Sequence, residues 1–373
     1  ADQALRALMD DLGFDLDLER AVWQMPLGIR QQLEILRVLA VGAKTLILDE
    51  PTSVLSPLET EKLFQLLRQI SESGRSVILI SHKLKEVMAA ADRVVVMREG
   101  QVVHEGDVAA TDQHQLAALI VGERAIPEQA RPGTAIGEPV LAIDGVTILD
   151  DLGLTAVRDV ALTVRAGELV ALIGVAGNGQ TELMDAIGGL RPIKAGSIEA
   201  PFSDGHRDFA YIPAQHLGTG LAPGLDVVDN ALLGHQRRVF GHWIKKPRAT
   251  VLATAMANRF GAKVEGEGAV SRLSGGNLQR LVLGRELHRA PKLIVASYPT
   301  RGLDVGSAAA IRNALVEQAG LGTAVLFSSE ELDESLAIAT RLLVMHGGRI
   351  VAERDPSDVD RTELGRLMTS GAA

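Results

Sequence analysis

Short apolar runs alternate along this chain with longer stretches whose apolar residues recur at helical spacing. Thr45–Asp49 and Ser76–Ser81 read as buried strands, with the amphipathic segment Glu59–Ser73 between them as a helix. Arg30–Ala40, carrying Leu33, Ile35, Leu36 and Leu39, predicts a helix before the first strand, and Leu5, Leu8, Met9, Leu12 and Phe14 suggest another within residues 1–24. Helix Lys83–Ala91, strand Arg93–Met97 and a hairpin through Glu99 and Gly100 complete this part. Strands alternating with helices predict a parallel sheet covered on both faces. Residues 126–139 contain three prolines and two glycines and read as a linker. Beyond it, Val140–Val146 and Arg158–Val164 alternate as an antiparallel pair would. Glu168–Ile173 is a continuous apolar strand running into Gly174, and Thr181–Ile187 opens a helix. Asp208–Ile212 is a strand leading to the polar loop Pro213-Ala214-Gln215; residues 261–268 suit a loop, and Arg280–Arg289 a helix.

Two stretches of the pattern match. Leu273-Ser274-Gly275-Gly276-Asn277-Leu278-Gln279, followed by Leu293–Asp304, echoes Met25–Gln31 followed by Leu46–Ser56. Gly276 lies 248 positions after Gly28, and the same separation links Gln279 with Gln31, Pro299 with Pro51, Thr300 with Thr52, Arg341 with Arg93 and Gly348 with Gly100. Register kept over that span without an insertion indicates a duplicated domain. Ser274 stands where a helix N-cap would. The two glycines after it leave backbone N–H groups open to an anion.

Leu-Ser-Gly-Gly-Asn-Leu-Gln, a strand ending Asp49-Glu50-Pro51-Thr52, and Ser81-His82 after the next apolar run together resemble an ABC ATPase. The resemblance covers nearly the whole chain. It is closest to the fused two-domain ATPases of bacterial simple-sugar and nucleoside importers. The runs Asp151–Val160 and Gly174–Gln180 lean toward the nucleoside branch. The fold it implies is α/β: tandem P-loop ATPase domains, each with a parallel sheet core, antiparallel strands and a helical subdomain. Residues 1–125 would be the C-terminal part of a first domain and 140–373 a second, complete but degenerate one.

The resemblance assigns roles residue by residue. Gly174, Gly177, Asn178, Gly179, Gln180 and Thr181 fall on the phosphate loop, with Thr181 offering its hydroxyl to Mg²⁺. Gln180 stands in place of the lysine, and one unit charge at about 4 Å contributes on the order of 4 kcal/mol at an effective dielectric of 20. Asp49 would hold Mg²⁺ through water, Glu50 would orient or deprotonate the attacking water, and His82 would contact the γ-phosphate. Ser274, Gly275, Gly276, Asn277 and Gln279 form the signature that caps ATP, and Gln215 lies on the loop coupling nucleotide to a membrane domain. Through the offset, Asp49 corresponds to Ser297, Glu50 to Tyr298 and His82 to Glu330, while Ser274-Gly275 corresponds to Pro26-Leu27. The first copy thus keeps the hydrolytic residues and the second the signature. In the family each site joins one domain's phosphate and acid motifs to the other's signature, which leaves the site built on the second copy degenerate. The offset carries the counterpart of 174–181 to before Ala1, so the first phosphate loop is expected from an upstream segment or another chain.

Composition narrows the classes. A net charge of −9 gives no electrostatic footprint for nucleic acid. The absence of cysteine rules out disulfides and thiolate metal sites, and the nine histidines show no ligand spacing. No apolar run approaches the roughly 20 residues of a membrane helix. Membrane association would go through partners: two transmembrane permease subunits and, beyond them, an extracytoplasmic solute-binding protein, placing the chain on the cytoplasmic face of the inner membrane. The expected cofactors are ATP and Mg²⁺. The alternatives are a soluble twin-ABC ATPase of translation or DNA repair, disfavoured by the acidic total and the lack of a charged helical linker, and a non-hydrolysing relic.

Overall fold

The computed structural model describes residues 8–9, 21–22, 25, 27–52, 55, 57–81, 83–98, 100–111, 115–116, 119, 131, 133, 135–175, 177–203, 206–235, 246–260, 262, 268–303, 305–329 and 331–370. Two compact units are present, Ala1–Ile126 and Pro127–Ala373. Most of the helix expected within residues 1–24, and most of the loop expected at 261–268, lie outside the described residues.

In the first unit, helix α1 (Leu27–Ala40) precedes strand β1 (Thr45–Asp49), helix α2 (Pro57–Glu72), strand β2 (Ser76–Ile80), helix α3 (Leu84–Ala90) and strands β3 (Arg93–Arg98) and β4 (Gln101–Asp107). α2 begins two residues earlier than its apolar pattern suggests, because Pro57 presets the first helical φ and its missing N–H is not needed there. Ile35, Leu36 and Leu39 of α1 and Leu63, Leu66, Leu67 and Ile70 of α2 pack with Leu46 in one core.

The expected sheet is covered on one face only. β1 pairs in parallel with β2 and β3 antiparallel with β4, as two separate ladders. On the opposite face Ile47 is 64% exposed and Met97 63%, with Ile78, Ile80, Val95 and Val102 exposed beside them. The second unit supplies the physical reason.

There, β5 (Pro139–Leu149) and β6 (Thr155–Arg165) form an antiparallel pair, followed by β7 (Leu169–Ile173), helix α4 (Gln180–Ile187), β8 (Ala195–Glu199), the two-residue strands β9 (Phe202–Ser203) and β10 (His206–Arg207), and β11 (Phe209–Ile212). Helices α5 (Val227–Leu232), α6 (Lys246–Arg259) and α7 (Gly275–Leu287) lead to β12 (Leu293–Ala296). Helix α8 (Val305–Gly320), β13 (Ala324–Ser329), α9 (Leu332–Ile338), β14 (Arg341–His346), β15 (Arg349–Arg354) and α10 (Arg361–Ser370) finish the chain. The main sheet runs β11-β12-β13-β7-β14-β15, parallel except for the final pair. β7 sits between β13 and β14, the counterparts of β2 and β3. Among the described residues the first unit has no such strand, so its ladders stay separate. Val295, Leu326, Leu343 and Met345, the counterparts of exposed Ile47, Ile78, Val95 and Met97, are buried under the antiparallel layer β6-β5-β8 and under Leu183, Met184 and Ile187 of α4. The other face of the sheet packs on α5, α6, α7, α8 and α10.

β7 starts one residue later than the apolar run because Glu168 turns its carboxylate back to the Arg165 N–H at 2.9 Å and to Arg341 at 2.6 Å. The α6–α7 crossing depends on Gly284. A Cβ there would stand 2.2 Å from the carbonyl oxygen of Met256. Gly284→Ala is therefore expected to cost about 1–3 kcal/mol by overpacking. Gly320→Ala, a helical position with open space around it, should stabilise by about 0.4–1 kcal/mol. Opposite shifts in the thermal midpoints of the two variants would verify the packing. A second expectation concerns pH. Burial, together with Arg289, pulls His235 down to about 4, and its Nε2 bonds to the carbonyl of Arg285 at 2.9 Å. The folded state keeps this ring neutral while the unfolded chain charges it near 6.5, so its contribution is complete above that value and is lost as pH falls toward 4. Melting curves between pH 7 and pH 4 should therefore fall less steeply for His235→Phe than for the parent.

Candidate functional site

The phosphate loop follows from the central strand. All five residues of β7 are fully buried, so the chain leaves the sheet interior at Gly174. A Cβ on Gly174 would collide with Gln180 Nε2 at 2.4 Å and with the Met345 carbonyl at 2.5 Å. Gly179 combines a φ of +101° with the Ala156 carbonyl 2.5 Å from where a Cβ would be, so only glycine fits. It is also the N-cap of α4, with no side chain capping the helix, an arrangement suited to an anion.

Gln180 is 1% exposed. Its Nε2 donates to the Val175 carbonyl at 3.3 Å, and its Oε1 is buried without a partner. Asn178 fastens the loop instead: its Nδ2 donates to Val175 at 3.0 Å and its Oδ1 accepts the Gly347 N–H at 2.8 Å. Thr181 is half-buried on the first turn, and Gly177 is exposed.

β11, β12, β13, β7 and β14 are parallel, so their C-terminal ends share one edge of the sheet, where open α/β sheets place ligands. That edge brings together Gln215 after β11, Ser297 and Tyr298 after β12, Ser329 at the end of β13 and Gly174 after β7. Gln215 is exposed. The next residue, His216, is held neutral, burial pulling it down to about 4. Ser297 is fully buried, its N–H bonded to the Ile212 carbonyl at 2.8 Å and its Oγ unpartnered. Tyr298 is buried with a φ of +46°, its N–H bonded to Ser328 Oγ at 3.0 Å, and the Arg301 guanidinium carbon lies 5.7 Å from its ring centre.

The first unit repeats this turn with different side chains. Glu50 has a φ of +47°, and its N–H bonds to the Ile80 carbonyl at 2.9 Å. A left-handed backbone is uncommon for a bulky residue; its recurrence at two positions 248 apart marks it as imposed by the turn. Gln31 Nε2 donates to the Pro51 carbonyl, and Gln279 Nε2 to the Pro299 carbonyl, both at 2.7 Å. Thr52 bonds to Glu86, and Thr300 to Glu334, both at 2.6 Å. Gln279 is thus fully buried as a brace between α7 and the β12 turn. Asp49 is exposed at the end of β1, a carboxylate that suits a hydrated Mg²⁺, and Glu50 stands next to it. His82, and Glu330 at its counterpart position, lie outside the described residues.

Ser274 occupies the N-cap of α7 in extended geometry, yet its side chain caps nothing. Its Oγ accepts Asn277 Nδ2 at 3.1 Å, leaving the helix N-terminus uncapped by it. Gly275 is exposed, with open space where a Cβ would go. Sequence reasoning missed Glu86, Glu334 and Arg301. The first two share the 248 offset with Glu at both positions and were detectable through it. Arg301 corresponds to Ser53 and carries no repeat signal.

The ABC transporter family model matches residues 157–301. Over 99% of its length the chain is 39% identical to a glucose import ATP-binding protein of Haloferax volcanii, covering 70% of that protein. It is 37% identical to a guanosine import ATP-binding protein of Bacillus subtilis over 99% of this chain and 75% of the relative. A nucleoside import ATP-binding protein of Lactococcus lactis is 34% identical over all of this chain and 76% of its own length. A dimeric ATP-binding cassette solved with ADP and phosphate superposes with a TM-score of 0.50 at 21% identity, covering 59% of this chain and all of that one. With a family match over residues 157–301 and relatives matching nearly end to end, this chain is a member of the ABC transporter ATP-binding proteins, an ABC ATPase.

Proposed function

We propose that the chain energises import of a simple sugar or nucleoside, hydrolysis resting on its first copy and the phosphate-capping signature on its second. One observation carries this reading: on the same turn, Asp49 and Glu50 stand where the other copy has Ser297 and Tyr298. The names of the relatives support the import role and the class of solute. Mg²⁺ held at Asp49 through water would neutralise charge on the transferred phosphate. Glu50 orients the attacking water and takes its proton, and His82 contacts the γ-phosphate. Ser274, Gly275, Gly276 and Asn277 offer an open helix N-terminus to a nucleotide. Among the described residues no helix is long and apolar enough to cross a membrane. The chain acts at the cytoplasmic face through two permease subunits, with the Gln215 loop as their contact, and a solute-binding protein delivers the cargo to them. In the second copy, Gly174–Thr181 holds ATP weakly through backbone N–H groups.

Hydrolysis by the chain assembled with its permease tests the division of labour. Glu50→Gln should reduce the rate by about 10²–10⁴-fold, the worth of a positioned base. Ser274→Arg should be comparably damaging, since a bulky cation blocks the helix N-terminus, whereas Tyr298→Phe should stay near the parent rate. Equal losses in Glu50→Gln and Tyr298→Phe would refute it. Separately, Gln180→Lys should tighten binding of a fluorescent ATP analogue by about tenfold or more, given one charge beside the phosphates. An unchanged affinity would mean that Gln180 does not face them.

A further inference from the structure

We propose that the second copy's phosphate loop takes the polyphosphate of a nucleotide without a divalent cation. This rests on the reading above that Gly174–Thr181 binds nucleotide, and it concerns what that site needs.

Mg²⁺ dehydrates reluctantly and is ordinarily held by one or two carboxylates together with substrate phosphates. At the end of β12 both carboxylates are missing. Ser297 offers a neutral Oγ, fully buried, and Tyr298 offers a phenol whose ring lies under Arg301. Thr181 remains as a neutral hydroxyl on the first turn of α4. These residues do not suit the cation that Asp49 suits.

The same substitutions remove the reason for a metal. Two carboxylates at a strand end repel nucleotide phosphates unless a cation neutralises them. With Ser297 and Tyr298 that repulsion is gone, and the Arg301 guanidinium carbon stands 5.7 Å from the Tyr298 ring centre. What is left to bind phosphate works without any ion: the uncapped N-terminus of the eight-residue α4 and the glycine-rich turn before it. Gln180 lies inside that turn, 99% buried, with Oε1 unpartnered while its Nε2 reaches only the Val175 carbonyl at 3.3 Å. A buried amide oxygen without a donor is costly. Rotation of this amide toward an incoming phosphate would turn Nε2 into a donor to it. Gln180 is neutral where the family resemblance implies a lysine, and Ser297 and Tyr298 are neutral where their counterparts are Asp49 and Glu50; the consequence is a site whose affinity is indifferent to the metal.

The test is equilibrium titration of the full chain with trinitrophenyl-ATP, in magnesium and in EDTA. The two dissociation constants should agree within about threefold, under 1 kcal/mol. Ser297→Asp should weaken binding in EDTA by about tenfold or more and recover in magnesium, because the carboxylate restores the repulsion that a cation relieves. Gly177→Asp localises the signal: a Cβ at Gly177 meets no atom within 4 Å, and Asp tolerates the left-handed backbone there. This variant should lose binding in both buffers, while the isosteric Gly177→Asn retains it. Parent binding that weakens tenfold or more in EDTA overturns the inference and leaves the binding reading intact. Absence of binding in both buffers, or a Gly177→Asp variant that binds like the parent, overturns the binding reading itself and the inference with it.

Discussion

The turn at the end of β1 and of β12 is the constraint on which the rest depends. Glu50 and Tyr298 both adopt a left-handed backbone, with φ of +47° and +46°, and in each copy a glutamine pins the following proline carbonyl at 2.7 Å. A positive φ in a bulky residue costs on the order of 1–3 kcal/mol and persists only where surrounding structure over-determines it. Here the over-determination is visible: the glutamine brace, the threonine-to-glutamate bond at 2.6 Å, and the N–H bonded to the adjacent strand. The frame therefore presents whichever side chain follows the strand, with no dependence on its chemistry. Exchanging Asp-Glu for Ser-Tyr left the turn in place and removed the charge.

That separation of frame from chemistry explains what could be read from the residues alone. The offset of 248 pointed to the two strand-end turns and the pairs of matched positions, because a frame held by repeated bonds keeps repeated residues. The glycine turn after β7 was legible because Gly174 and Gly179 answer to backbone sterics. Less legible was how each side chain is used. Asn178 and Gln279 have the polar character of ligands, yet Asn178 ties the loop to the β14–β15 turn and Gln279 braces α7 against β12. Ser274 sits where an N-cap belongs, but its hydroxyl is spent on Asn277. Such uses depend on which donor lies across the fold, and local spacing does not encode that.

The sheet carries the same lesson at larger scale. Alternating strands and helices suggested two covered faces in both copies. The second unit has them because β7 joins β13 to β14 and the β5–β6 layer covers the result. The first unit's Ile47, Val95 and Met97 remain exposed because the described residues hold no counterpart of that strand or layer. Apolar residues at those positions follow from the repeat.

Function then reduces to electrostatics at two equivalent strand ends. One end carries two carboxylates suited to a metal and to activating water; the other carries neutral groups with an arginine over a tyrosine ring. In the function we propose, hydrolysis uses the first arrangement, and simple retention of phosphate is compatible with the second. Steady-state ATP hydrolysis by the permease-assembled protein bearing Asp49→Asn or Ser297→Asn compares the two ends at the same backbone position. The account predicts near-complete loss of activity for Asp49→Asn and a rate close to the parent's for Ser297→Asn. Loss in Ser297→Asn with activity retained in Asp49→Asn would place the chemistry in the other copy and contradict it.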